Sequence, residues 1–381
     1  MEIIKNQSHR MNQDYHVIHP THELPKNATH TILQNNDAFI YHKLITSYKP
    51  TPLIELRCLA QKLEVNSVYV KDESYRFGLN AFKGLGASYA VYKTLQEHPN
   101  ISTMCTATDG NHGKAVAWAS KQFNKKAIVY VPKNTSISRI EAIQKEGAQV
   151  EKLDLNYDDT CTYAKQRSEA NGLQLIQDTA WDGHEKIPAL IMACYLTCLK
   201  ELETSLHKNN VPDVDIVFLQ VGVGSWAAAA VWYYVNKYGA NRPKIVLVEP
   251  TESDGMMESL KQGIRVIPKG TQQTIMAGLN CGIPSLNAWE IIKDNIDACI
   301  SIEDFYVENT MNILYNPNGT DSKIIAGESG ASGMAAFFKI LNDPKLNSLK
   351  KELNIDNNIN LLFFNTEGNT DPINFNKIIN S

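Results

Sequence analysis

Ala127-Ile128-Val129-Tyr130-Val131, closed by Pro132, is a continuous run of apolar residues. Such a run is expected of a strand lying inside a parallel sheet that is covered on both faces. The neighbouring segments alternate around it. Upstream, Ile101 to Ala107 reads as a strand and Lys114 to Phe123 as an amphipathic helix. Downstream come a helix from Ile137 to Glu146 stopped at Gly147, a strand from Gln149 to Leu153 and a helix from Tyr157 to Ala170 that ends at Asn171-Gly172. A strand over Leu173 to Gln177, a long helix after Pro188, a strand over Asp215 to Leu219, a helix after Ser225 and a strand over Lys244 to Val248 continue the pattern. This is the signature of an α/β protein in which helices cover parallel sheets.

Ahead of this region, about forty polar residues with little periodicity suggest an arm that packs on the body or on a neighbouring subunit. Pro50-Thr-Pro-Leu-Ile-Glu-Leu56 opens the folded part, Ser67 to Lys71 reads as a strand, Asp72-Glu73-Ser74 as a polar turn, and Gly84 to Leu95 as a helix.

The chain has 381 residues, which exceeds what one core usually serves and predicts two domains. A hydrophobic share of 43% and a net charge of -4 describe an ordinary globular protein without a general polyanion-binding surface, so nucleic acid is not expected as a partner. No apolar run is long enough to span a bilayer, and the N-terminal residues lack the apolar core of a secretion signal, so no membrane partner and a cytoplasmic location are expected. The seven cysteines lack the paired spacing of a zinc site. They are expected to be reduced and mostly buried, with Cys194 and Cys198 on one helix face as packing residues and no metal bound. His9, His16, His19 and His22 fall in the polar arm, where solvated side chains are the simplest account.

Four stretches carry candidate chemistry. Phe77-Gly-Leu-Asn-Ala-Phe-Lys83-Gly-Leu-Gly-Ala-Ser88 sets one lysine among apolar and small residues at a helix entrance. If Lys83 is buried, desolvation lowers its pKa and leaves an amine able to attack an aldehyde, as in a Schiff base with pyridoxal phosphate. A partly exposed loop lysine is the alternative. Thr106-Ala-Thr-Asp-Gly-Asn-His-Gly113 turns from strand to helix, where backbone amides can gather around an anion and Asp109 stands at the turn, as a functional carboxylate or as a helix cap. Gln177-Asp-Thr-Ala-Trp-Asp-Gly183 ends a strand with Asp178. Leu219-Gln-Val-Gly-Val-Gly-Ser225 is a glycine turn opening a helix of small residues, the geometry for binding phosphate through backbone amides. A dinucleotide fingerprint is weakened by Ala227 at the third glycine position, although alanine can serve there.

In this order, the stretches resemble the fold type II family of pyridoxal-phosphate enzymes, which includes serine and threonine dehydratases, threonine synthase and cysteine synthase. Arg76 to Lys83, Thr108-Asp-Gly-Asn-His-Gly113, Gln177-Asp-Thr-Ala-Trp181, Ile275-Met-Ala-Gly-Leu279, Gly327-Glu-Ser-Gly330 and Thr366-Glu-Gly368 resemble in particular the diaminopropionate ammonia-lyases. The similarity runs from about Ser67 to Asp371. It implies two open, twisted, mostly parallel sheets covered by helices, with residues 1–89 and 176–381 forming a large cofactor domain and residues 90–175 a smaller, mobile inserted one.

The same resemblance assigns roles. Lys83 matches the lysine that holds pyridoxal 5'-phosphate covalently and returns to release product. Phe82 is expected beside the cofactor, and Asn111 at the pyridine 3-oxygen. Gly222, Val223, Gly224 and Ser225 match the phosphate loop, and Thr366 the hydroxyl near the ring nitrogen. Thr108, Gly110 and His112 are expected to meet the substrate. The implied reaction is α,β-elimination of 2,3-diaminopropionate to pyruvate and two ammonia, with Asp109 as base for the D isomer and Asp178 for the L isomer. A homodimer is the family habit.

Two other readings stand beside this one. The first is a serine or threonine dehydratase, against which Asp109 counts, since those enzymes usually carry serine in the corresponding turn. The second is a catalytically degenerate fold member that only binds a ligand, against which Lys83 counts. Two departures from the family pattern fall near the site. Trp181-Asp-Gly-His184 stands where Trp-Glu-Gly-Tyr is common, and alanines replace frequent glycines in the helix after the phosphate loop. They leave Lys83, Asp109 and Asp178 intact and bear on substrate preference more than on reaction type.

Overall fold

The structure is a computed structural model and describes residues 14–108, 110–211, 213–268 and 270–381. Its strands are β1 (Tyr15–Val17), β2 (Leu53–Glu55), β3 (Ser67–Asp72), β4 (Thr103–Ala107), β5 (Lys126–Val131), β6 (Gln149–Lys152), β7 (Gln174–Leu175), β8 (Ile216–Gln220), β9 (Lys244–Pro250), β10 (Ala298–Ile302) and β11 (Asn360–Asn365). They form two sheets. The larger has the order β1-β10-β9-β8-β11-β3-β2 and the smaller the order β6-β5-β4-β7. The smaller sheet is parallel throughout. In the larger, β10, β9, β8, β11 and β3 run parallel, and only the edge strands β1 and β2 pair antiparallel.

The apolar run at 127–131 lies in β5 at the centre of the smaller sheet, where Val129, Tyr130 and Val131 are almost fully buried. The strands of the larger sheet are continuous apolar runs for the same reason. β8, β9 and β11 are covered by helices on both faces, and Val217 and Leu219 face one core cluster while Ile216 and Phe218 face another. Arg57–Lys62, Glu328–Asn342 and Pro372–Ile379 are among the helices on the second side.

Most expected elements lie within a few residues of where periodicity placed them, with two informative differences. The helix expected from Lys114 begins at Asn111, because Asn111 and His112 occupy its first turn despite being polar. The strand expected over Leu173 to Gln177 shrinks to Gln174–Leu175, although the Ile176 amide still donates to the Cys105 carbonyl of β4 at 2.8 Å. Most of the N-terminal arm packs on the body. β1 extends the larger sheet, and the helices Ala28–Leu33 and Asp37–Leu44 lie against the long helix Lys186–Lys208. His9 falls outside the described residues, His19 is exposed, and His16 and His22 are partly buried. Cys194 and Cys198 share the buried face of the long helix, and among the described residues no cysteine forms a disulfide. Among the described residues no helix is long and apolar enough to cross a membrane.

Helix Gly84–Glu97 packs against both Asn111–Gln122 of the smaller sheet's layer and Lys186–Lys208 of the larger one's. Its N-terminus therefore marks the junction of the two units.

Candidate active site

At that junction a cleft of about 720 Å³, open to solvent, gathers residues from the ends of β4, β8 and β11 and from the segments that follow β3 and β7. This is where a doubly wound sheet presents its ligand site, outside the carboxyl ends of its strands. Its walls include Phe82, Lys83, Thr108, Gly110, Asn111 and His112. Asp178, Gly222, Val223, Gly224, Ser225 and Thr366 complete the set expected from sequence. Asp109, the other expected site residue, lies outside the described residues.

Lys83 reaches the cleft because of the turn before it. Phe77 and Gly78 both adopt left-handed backbone conformations, with φ of 51° and 74°. That is costly for a bulky residue, and Phe77 is held there by stacking on Trp118 with ring centroids 5.1 Å apart. The chain reverses, and Lys83 caps helix Gly84–Glu97. Its Nζ donates to Asp178 Oδ2 at 2.6 Å.

This contact reverses the expected shift of the lysine. Burial does work against the ammonium, but the Asp178 carboxylate outweighs it and holds the Lys83 pKa above its ordinary value. Burial likewise works to raise the pKa of Asp178, and His112 and the Lys83 ammonium overcome it, holding the carboxyl at about 2. His112 is itself pushed down by burial. Its Nε2 lies 2.8 Å from the carbonyl of Ile176, which can only accept, so Nε2 carries the proton and Nδ1 stands 3.8 Å from Asp178 Oδ2. The ammonium is thus the main attraction on Asp178 at neutral pH. The contact therefore holds Lys83 as an ammonium and Asp178 as a carboxylate.

Opposite Lys83, the glycine turn enters helix Ser225–Tyr238 through Gly224, whose φ of 99° a side chain would strain. The amides of Gly222, Val223 and Gly224 make no hydrogen bond among the described residues. They stand at the positive end of a 14-residue helix. Ser225 Oγ donates to the Asp178 carbonyl at 2.6 Å, which ties the glycine turn to the acidic residue.

Asp178 Oδ1, His112 Nδ1 and Gln220 Oε1 are buried without hydrogen-bond partners. A cleft with an amine on one wall, free amides at a helix N-terminus on another and unpartnered polar atoms between them fits a phosphorylated aldehyde cofactor. Phe82 packs below against Tyr195 and Trp226, with centroids 4.7 Å and 5.4 Å away. The Phe82 amide donates to the Thr366 carbonyl at 3.1 Å.

Several lining residues received no role in the sequence reading. Tyr157 was legible only as the start of a helix, Gln220 and Trp226 flank the glycine turn, and Ser329 lay in the quoted Gly327-Glu-Ser-Gly330. Glu367 lay in a quoted motif without a role. His184 does not line the cleft. It stacks on Trp181 at 4.5 Å, and burial lowers its pKa to about 4.

The fold and this cleft define a class, the pyridoxal-phosphate dependent enzymes, whose family model matches residues 44–351. Similarity to individual proteins is narrower. A diaminopropionate ammonia-lyase of Salmonella typhimurium is 39% identical over 97% of this chain and 96% of its own length. One from Escherichia coli is 37% identical over 89% of each. The crystal structure of the Escherichia coli enzyme in complex with an aminoacrylate-PLP azomethine reaction intermediate superposes with a TM-score of 0.87 at 35% identity, covering 96% of each chain. The chain belongs to the diaminopropionate ammonia-lyase family. A tomato threonine deaminase, 22% identical with a TM-score of 0.75, shares the fold.

Proposed function

We propose that this chain is a pyridoxal-phosphate ammonia-lyase that converts D- and L-2,3-diaminopropionate, with one water, to pyruvate and two ammonia. The observation that carries the proposal is the Lys83–Asp178 pair at 2.6 Å, facing free amides at a helix N-terminus. The bound cofactor supplies an electron-withdrawing ring that makes the substrate's α-proton acidic and allows the β-amine to leave.

The residues of the chain perform the remaining tasks. Lys83 holds the cofactor through Nζ, Gly222 to Ser225 bind its phosphate, Asn111 meets its 3-oxygen, and Thr366 stands near its ring nitrogen. Thr108, Gly110 and His112 orient the substrate. Asp178 removes the α-proton of the L isomer through Oδ2, and Asp109 that of the D isomer. Asp178 suits this work because its carboxyl is ionised across the neutral range and is buried away from competing water. Residues 90–175 close over the substrate against the unit formed by 1–89 and 176–381. The protein works as a homodimer in the cytoplasm, where a reducing compartment suits seven cysteines outside any disulfide.

Supplying D- and L-diaminopropionate, D- and L-serine and threonine separately, and measuring ammonia and keto acid, tests the reading. Two ammonia per keto acid from diaminopropionate is expected, and Lys83→Ala abolishes both products. One ammonia per keto acid from serine or threonine, with diaminopropionate untouched, would make the protein a dehydratase.

A further inference from the structure

Two of the quoted motifs, Thr366-Glu-Gly368 and Gly327-Glu-Ser-Gly330, meet beside the cleft through residues given no role so far. Glu367, from Thr366-Glu-Gly368 after β11, is almost fully buried and lines the cleft. Its Oε1 accepts from the Ser329 amide at 2.9 Å, in the first turn of helix Glu328–Asn342. Its Oε2 accepts from Thr370 Oγ1 at 3.2 Å and from Asn111 Nδ2. The sequence accommodates the carboxylate closely. A Cβ at Gly330 would lie 2.5 Å from the Glu367 carbonyl oxygen, so the helix approaches only because that position is glycine. Glu367 is thus oriented by a helix amide and a threonine hydroxyl, and its second oxygen is aimed at one side chain of the opposite unit.

We propose that Glu367 is a positioning residue that holds the Asn111 carboxamide so that its remaining N–H faces the 3-oxygen of the bound cofactor. The inference rests on the reading of Asn111 given above. An Asn side chain can present either nitrogen or oxygen in a given direction, and the two orientations are opposite in their effect on an acceptor such as a ring oxygen. Asn111 sits in the first turn of its helix, where its amide can rotate. A carboxylate accepts only, so Glu367 fixes the nitrogen on its own side, and charge assistance strengthens the bond. The first N–H is committed to Glu367 and the second is left for the cofactor. The charged groups around this corner include Lys83, Asp178, Glu328, Arg139 and Asp371, and Arg139 stands 3.8 Å from both Glu328 and Asp371.

Glu367→Gln tests the proposal, because the glutamine keeps its size but sets a donor where Oε2 stood. Holoenzymes of wild type, Glu367→Gln, Asn111→Ala and the double variant are compared by cofactor dissociation constant and by the pH midpoint of the bound cofactor's visible band. Glu367→Gln is expected to weaken cofactor binding about tenfold, the size of one charge-assisted hydrogen bond, and to move the midpoint. The double variant should match Asn111→Ala alone, since Glu367 acts through that residue. If Asn111→Ala moves the midpoint and Glu367→Gln leaves both quantities unchanged, the positioning role is overturned while the reading of Asn111 stands. If Asn111→Ala itself changes neither, both fall. Should Glu367→Gln not fold, Thr370→Val, which frees one restraint on Oε2, is expected to move both quantities in the same direction by less, and no change there would overturn the proposal.

Discussion

Lys83 and Asp178 illustrate how a partner decides the sign of a pKa shift. Burial alone would favour a neutral lysine and a neutral carboxyl, and contact at 2.6 Å keeps both charged instead. The Asp178 carboxyl lies at about 2 in the fold, against an ordinary value near 4 in the unfolded chain. A depressed carboxyl contributes stability that is complete above the unfolded value and is lost as pH falls through the folded one. In cofactor-free protein, where Lys83 is an ammonium, wild type should therefore exceed Asp178→Asn by roughly 2 kcal/mol above about pH 4. The difference should shrink toward pH 2. Denaturant unfolding of both proteins across that range measures it, and a difference that does not depend on pH would count against the pair. Asp178→Asn should also lose activity on the L isomer and retain more on the D isomer.

At the scale of elements, the segment that delivers Lys83 is fixed by a buried charge network. Arg76, on the turn Glu73–Gly78, donates Nε and Nη2 to Glu73 at 2.8 Å each, and Nη1 and Nη2 to Glu201 at 2.8 Å each. Lys71 at the end of β3 donates to Glu201 at 3.0 Å and to the Thr51 carbonyl at 2.7 Å. Burial would raise the pKa of Glu73, and Arg76 first among its neighbours brings it down to about 2. The network joins β3, the turn and helix Lys186–Lys208 beneath the cleft. Removing one partner leaves buried charge uncompensated, which costs more than the pair contributes. Arg76→Met is expected to destabilise the protein by roughly 3 kcal/mol or more and to lower its thermal midpoint clearly. A midpoint within a degree of wild type would show that the network is dispensable.

At the scale of the molecule, the site exists because two sheets direct strand ends at one another. The segment after β4 supplies Thr108, Gly110, Asn111 and His112, β8 leads into the glycine turn, and β11 leads into Thr366 and Glu367. One rim of the cleft is joined by polar contacts, while Val223 and Cys281 share an apolar cluster with Cys105, Ala107 and Tyr157. Ser136 and Ser138, at the start of helix Ile137–Lys145, each donate to Asp371 at 2.7 Å, and Arg139 lies 3.8 Å from the same carboxylate. Polar contacts of this kind can form and release as units close and open. Asp371→Ala is expected to raise KM several-fold while leaving the cofactor's spectrum unchanged. An unaltered KM would count against a proposed closure that uses these contacts.

The alternation of apolar runs with amphipathic helices determined the α/β class, since each pattern can bury its apolar face in one way only. The glycine turn was legible because anion binding at a helix start needs backbone, and backbone requirements leave glycine in the sequence. The role of Asp178 was not legible from its own segment, where a turn explained the neighbouring residues equally well, and it came from resemblance. Only the tertiary structure decided that Asp178 meets Lys83, that their contact raises the lysine's pKa instead of lowering it, and that Glu367 grips Asn111 from 256 residues away. Those facts depend on distances between strand ends of different sheets. Periodicity along one chain cannot encode such distances, because they are set by how two separately formed layers pack.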